Sequence, residues 1–159
     1  MFSFFMSIST ISLGLSLSIG GSIGGGSHEK STGGITFQVG AACAQATFNA
    51  HEPAGNQAAK GVFNYRDVTP TGAVRLFQVK VQRCVVNGDR ATFVGNVVMS
   101  NVPGWRDRWV RVWVRDGGTP GRNGDLLTFR FFPRLTDAAT AAPITWFPAT
   151  GGNLTVHSR

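Results

Sequence analysis

Residues 73–100 read AVRLFQVKVQRCVVNGDRATFVGNVVMS, and this stretch decides the fold class. In its first half Phe77, Val79 and Val81 share one phase of a two-residue period. In its second half Ala91, Phe93, Val97 and Met99 do the same. A period of two belongs to a strand with one buried face, not to a helix. Between the halves stands Asn87-Gly88, the pair best suited to the positive φ angles of a two-residue hairpin turn. Residues 73–100 therefore predict two antiparallel strands.

The same grammar extends outward. ITFQVGAACAQATFNA (35–50) predicts one or two strands, HEPAGNQ (51–57) a turn, and AKGVFNYRDV (59–68) a strand that TPTG (69–72) turns into residue 73. WRDRWVRVWVRD (105–116) and DLLTFRFF (125–132) predict strands on either side of the loop GGTPGRNG (117–124). PRLTDAATAAP (133–143) reads as loop with at most one helical turn, and ITWFP and NLTVHS close the chain. No long stretch places apolar residues at helical spacing. Short strands with turn signals between them predict an all-β antiparallel sandwich of about seven or eight strands over 35–159. Residues 1–34, rich in Ser, Gly and Ile, form an N-terminal extension.

The net charge of +7 rests on 12 arginines and 3 lysines against eight acids. No Lys/Arg-rich run of the kind that marks a nucleic-acid patch occurs, so nucleic acid is not an expected partner. Cys43 shares its strand phase with Gln45, Thr47 and Asn49, and Cys84 with Gln82, Lys80 and Gln78. Both thiols then lie on the more polar phase, and a Cys43–Cys84 disulfide is the expected arrangement, pointing to an oxidising, extracellular compartment.

KGVFNYRD (60–67), VNGDRATFVGNVVM (86–99) and WVRVWVRDGGTPGRNGDLLTFRF (109–131) follow an order that resembles the post-COAP type of bacterial extracellular β domain. The resemblance covers residues 60–134. It implies a secreted or surface-attached sandwich module, commonly a non-catalytic accessory domain, and it brings no catalytic residues. The loop GGTPGRNGD is longer than that of the family, and residues 1–34 have no counterpart in it.

An enzyme is not expected, nor a cofactor. His28, His51 and His157 fall in a linker, a turn and near the C-terminus, and no G-x-S-x-G elbow occurs. Asp67, Asp89, Asp116 and Asp125 each sit where a turn uses an Asx side chain. Asp116, Asn123 and Asp125 flank a glycine-rich loop and are oxygen ligands of the kind that suits Ca²⁺, but their spacing matches no calcium-loop signature, and turn capping is the simpler role. Two features carry function instead. In WVRVWVRD the residues Trp109, Arg111, Trp113 and Arg115 alternate with Val110, Val112 and Val114. If the valines face the core, a Trp/Arg strip lies outside and could hold glycans or other anionic polymers; the alternatives are that it merely covers the sheet or that the Trp side is itself the core.

In SISTISLGLSLSIGGSI (7–23), Leu13, Leu15, Leu17 and Ile19 alternate with Ser and Gly. As a signal peptide the stretch lacks a basic n-region. As a transmembrane helix it is diluted by Ser and interrupted by Gly20-Gly21. As a strand followed by a glycine-rich linker, it predicts addition to an exposed sheet edge. Addition to a neighbouring copy is head-to-tail and builds filaments when it does not close. The expected function is thus a non-enzymatic structural or interaction module, secreted or at the cell surface, assembling through residues 7–23.

Overall fold

The computed structural model describes residues 29–53, 57–118 and 124–158. Among the described residues eight strands form, most of them where the alternation predicts, although the last runs unbroken through 149–152, between ITWFP and NLTVHS. They are β1 Lys30–Val39, β2 Ala42–His51, β3 Lys60–Val68, β4 Val74–Asn87, β5 Arg90–Ser100, β6 Trp109–Arg115, β7 Leu126–Phe132 and β8 Phe147–His157. A 3-10 turn, Pro103–Trp105, precedes β6, and one short helix, α1 (Leu135–Thr140), lies between β7 and β8. β1 begins at Lys30, inside the stretch assigned from sequence to the extension. The β4–β5 turn is Gly88-Asp89, closed by the Asn87↔Arg90 pair. Gly88 takes a φ of 60° while Asn87 stays in the strand, so the turn has glycine at its first central position and not the Asn-Gly form expected from the sequence.

The sandwich expectation is corrected: the strands close into one antiparallel barrel in the order β1 to β8. Each strand pairs with the next, and β1 pairs with β8 from Lys30↔His157 to Phe37↔Ala149. Alternation along a strand distinguishes inside from outside, and a sandwich and a barrel ask the same of it. What closes the ring is the β1–β8 ladder between elements more than a hundred residues apart. Gly33 permits it, because a Cβ there would lie 2.6 Å from the Leu154 Cα.

The interior is filled by side chains. β2 turns a row of small residues inward, Ala42, Ala44, Ala46 and Ala50, broken by Phe48. Large rings occupy the space the alanines leave: Phe37, Phe63, Phe77 and Phe93 are each at most 1% exposed. Phe63 lies 5.9 Å from both Phe77 and Phe93, centroid to centroid. Eight strands enclose a bore about the width that side chains can fill, and small residues opposite large ones fill it.

The expected disulfide is also corrected, since both cysteines are free thiols. The β4–β5 register shifts between Val81 and Arg83. This bulge turns Phe77, Val79 and Val81 inward before it and Cys84 and Val86 inward after it. Cys84 is therefore buried in the core, whereas Cys43 is exposed on the outer face beside Gln38. They are also far apart along the barrel. Cys43 pairs with Val68 and Val68 with Val74, and Cys84 lies ten residues further down β4, about 33 Å of strand. With no bond between them, the cysteines cease to argue for an oxidising compartment. Burial, with the Glu52 charge adding to it, pushes the Cys84 thiol up to about 12. A thiol-specific reagent at neutral pH is expected to titrate one thiol per native chain, Cys43, and the second only in denaturant. A native titre of two would contradict this arrangement.

Candidate functional site

The outer face of β6 answers the question posed by its alternation. Val110, Val112 and Val114 are fully buried in the barrel core, so Trp109, Arg111, Trp113 and Arg115 do point outward. They do not form an exposed strip, because α1 packs over Trp109, Arg111 and Trp113 and leaves only Arg115 exposed. Trp113 is 6% exposed and packs with Val94, Phe132 and Ala138, with Trp109, Leu135 and Trp146 around it. Arg111 stacks on Trp113 at 5.1 Å and donates from Nη1 to the carbonyls of Ala138, at 3.0 Å, and Ala139. It thus satisfies the C-terminal carbonyls of a helix too short to stand alone. Burial lowers the Arg111 pKa from its ordinary value. Arg115 donates to Asp89 at 2.9 Å. Sequence reasoning missed this cover, whose one signal was the apolar pair Leu135 and Ala138 at i, i+3.

Asp116 and Asp125 serve the barrel seam. Asp125 is fully buried; its Oδ1 accepts from Gly117 N at 2.9 Å and its Oδ2 from Leu154 N at 2.7 Å. Asp116 accepts from Gly118 N at 2.9 Å and Val156 N at 3.0 Å. All four carboxylate oxygens are thus engaged by backbone amides. No group of three His, Cys, Asp or Glu among the described residues could hold a metal ion, and Asn123 lies outside the described residues. The calcium reading gives way to a structural one. Leu154 and Val156 lie where β8 has run past β7, and two side chains replace the missing strand partner.

This seam is the least complete part of the barrel. β6 pairs with all seven residues of β7, whereas β8 pairs only through Leu126↔Pro148 and Leu127↔Phe147. Among the described residues, Thr128–Phe132 have no ladder partner on the β8 side. Phe129 and Phe131 point inward from this edge yet are only half-buried, as is Phe147 across the gap. Phe129 and Phe147 are 6.5 Å apart. The assembly residues proposed from sequence, Leu13, Leu15, Leu17 and Ile19, lie outside the described residues.

A buried network braces the same end of the barrel. Tyr65 Oη donates to Asp67 Oδ2 at 2.7 Å, and Arg75 donates from Nε to Asp67 Oδ1 at 2.9 Å and pairs through Nη2 with Oδ2. Arg75 also sits 5.7 Å over Trp105, which stacks on Phe131 at 5.2 Å. Burial by itself would raise the Asp67 pKa, but the hydrogen bonds from Arg75 and Tyr65 and the Arg75 charge outweigh it. The carboxyl is held below its ordinary range. Because the folded pKa lies under the unfolded value of about 3.9, the stabilisation is full above about pH 4. It is lost as pH falls from there through the folded pKa. The gap in melting temperature between wild type and Asp67→Asn is therefore expected to be widest near neutral pH and to shrink below pH 4. A gap that stays constant down to pH 2.5 would contradict it.

No helix among the described residues is long and apolar enough to cross a membrane. Comparison of the chain with protein-family models, with curated proteins and with solved structures finds no match. What the fold and site define is a class by architecture: a closed, side-chain-filled antiparallel barrel of eight strands with one short-paired seam.

Proposed function

We propose that this chain is a non-enzymatic interaction module that assembles by strand addition, with the β7 edge as acceptor and residues 7–23 of a second copy as donor. The observation that carries the reading is the run Thr128–Phe132, paired to β6 but without a ladder partner on the β8 side among the described residues, with Phe129 and Phe131 half-buried behind it. An open edge is a template for another strand, and this one is flanked by aromatic rings that an apolar row would cover. Leu13, Leu15, Leu17 and Ile19 form such a row, and the Ser and Gly between them leave the opposite face small. Cross-strand aliphatic–aromatic pairs stabilise an added strand. The reading concerns the mode of action, and secretion or surface attachment of the module is proposed with it from residues 60–134.

Light scattering on the full chain tests the proposal. Particles larger than a monomer, growing with protein concentration, are expected. Leu15→Asp with Leu17→Asp, which places charges on the apolar row, is expected to give monomers of unchanged melting temperature. A full-length chain that stays monomeric at high concentration, or a double variant that assembles as wild type does, would overturn it.

A further inference from the structure

The arginines on the outer wall of β4–β7 are not distributed evenly. The registers set Arg83, Val94, Arg111 and Arg130 side by side in one row, and Arg90 and Arg115 in a second row toward the β4–β5 hairpin. Between these rows, with the last turn of α1 as a wall, lies a cleft of about 430 Å³. Arg83, Arg90 and Arg111 line it together with Asn87 and Thr92, and among the described residues no carboxylate does. A cleft of this size is in the range of small-molecule sites.

Counting the ion pairs shows which of these cations are committed. Arg115 and Arg90 share Asp89, but Arg115 holds it at 2.9 Å while Arg90 stands off at 3.7 Å. Among the described residues no carboxylate pairs with Arg83 or Arg111. Arg111 directs Nη1 to the two helix carbonyls, and its buried Nε–H has no partner. A buried donor without an acceptor is uncommon in a native structure and calls for an explanation.

We propose that this cleft binds a tetrahedral oxyanion, a phosphate or sulfate group, carried on a small molecule. Arg83 and Arg90 offer forked N–H donors to such a group, Arg111 adds its charge and its unpartnered Nε–H, and the side chains of Thr92 and Asn87 add neutral donors. Two or more oxygens can be engaged at once, which a halide cannot match. Val85, 59% exposed at the rim, gives the carrier an apolar surface to rest on. The site lies on the wall formed by β4, β5 and β6, apart from the β7 edge, so it stands independently of the assembly reading.

Isothermal titration of the full chain at constant ionic strength tests this, with sodium phosphate, sodium sulfate and glucose 6-phosphate as probes and sodium chloride as the blank. Saturable one-to-one binding of the oxyanions is expected. Arg83→Gln and Arg90→Gln are each expected to weaken it about tenfold. Both residues are exposed, so the variants should melt in chloride as wild type does. Tighter binding of glucose 6-phosphate than of inorganic phosphate would support the site with an ester as its ligand, and equal binding would support it with the free ion. Absence of saturable heat, heat that chloride reproduces, or unchanged affinity in the Arg83→Gln/Arg90→Gln double variant would overturn the proposal.

Discussion

Truncating Phe63 to alanine is expected to destabilise the barrel by about 3–5 kcal/mol and to lower its melting temperature by roughly 10–20 °C. Phe63 is fully buried and stands at the centre of the ring cluster, within 6.3 Å of Phe48, Phe77, Phe93 and Phe129. The loss has two parts. The ring's transfer from water disappears, and a cavity remains because its neighbours belong to four other strands of a closed ring. The wall around the ring cannot collapse freely toward the hole, since β2, β3, β4 and β5, which carry Phe48, Phe63, Phe77 and Phe93, are each held on both sides by long ladders. Phe63→Leu, which keeps most of the volume, should lose much less. Equal effects of the two substitutions in thermal melts would show that the site relaxes freely.

Asp125→Ala is the second large effect, about 2–5 kcal/mol, and its cause is different. The carboxylate satisfies Gly117 N and Leu154 N, and the substitution removes both acceptors while little water can enter to replace them. An unsatisfied buried donor costs about 1–3 kcal/mol. Asp125→Asn keeps one acceptor oxygen and turns an NH₂ toward the other amide, so it should fall between wild type and alanine. Hydrogen exchange locates the effect as well as its size. Faster exchange of the Leu154 amide is expected in Asp125→Ala, with the β3–β4 ladder still protected. A uniform change across the barrel would show that the seam is not a separate unit of stability.

These two residues also show how far the sequence could be read. Phe77, Val79 and Val81 are inward in the structure as their alternation states, because a period of two is a local property that any half-buried strand must show. The phase of Cys84 was misread because a bulge adds one residue to one strand, and nothing in VQRC marks the residue as extra. The alternation of β6 leaves open which of its faces is buried; the structure turns the valines inward, and the cover over Trp113 comes from six helical residues more than twenty positions away. Asp116 and Asp125 were recognised as capping residues, yet the amides they cap on β8 are remote in sequence and follow from how far β8 overruns β7.

The sequence by itself determined that the chain is all-β, where its strands run, which phase of most of them is apolar, and that a short apolar strand-like row precedes the domain. Only the tertiary structure decided that the sheet closes on itself, that its cysteines stay apart, and that one seam is left short while arginines gather on one wall. The physical reason is the range of the interactions. Alternation, turn chemistry and charge are set by neighbours along the chain, whereas closure, bulge register and the coming together of Arg83, Arg90 and Arg111 depend on pairings between distant strands.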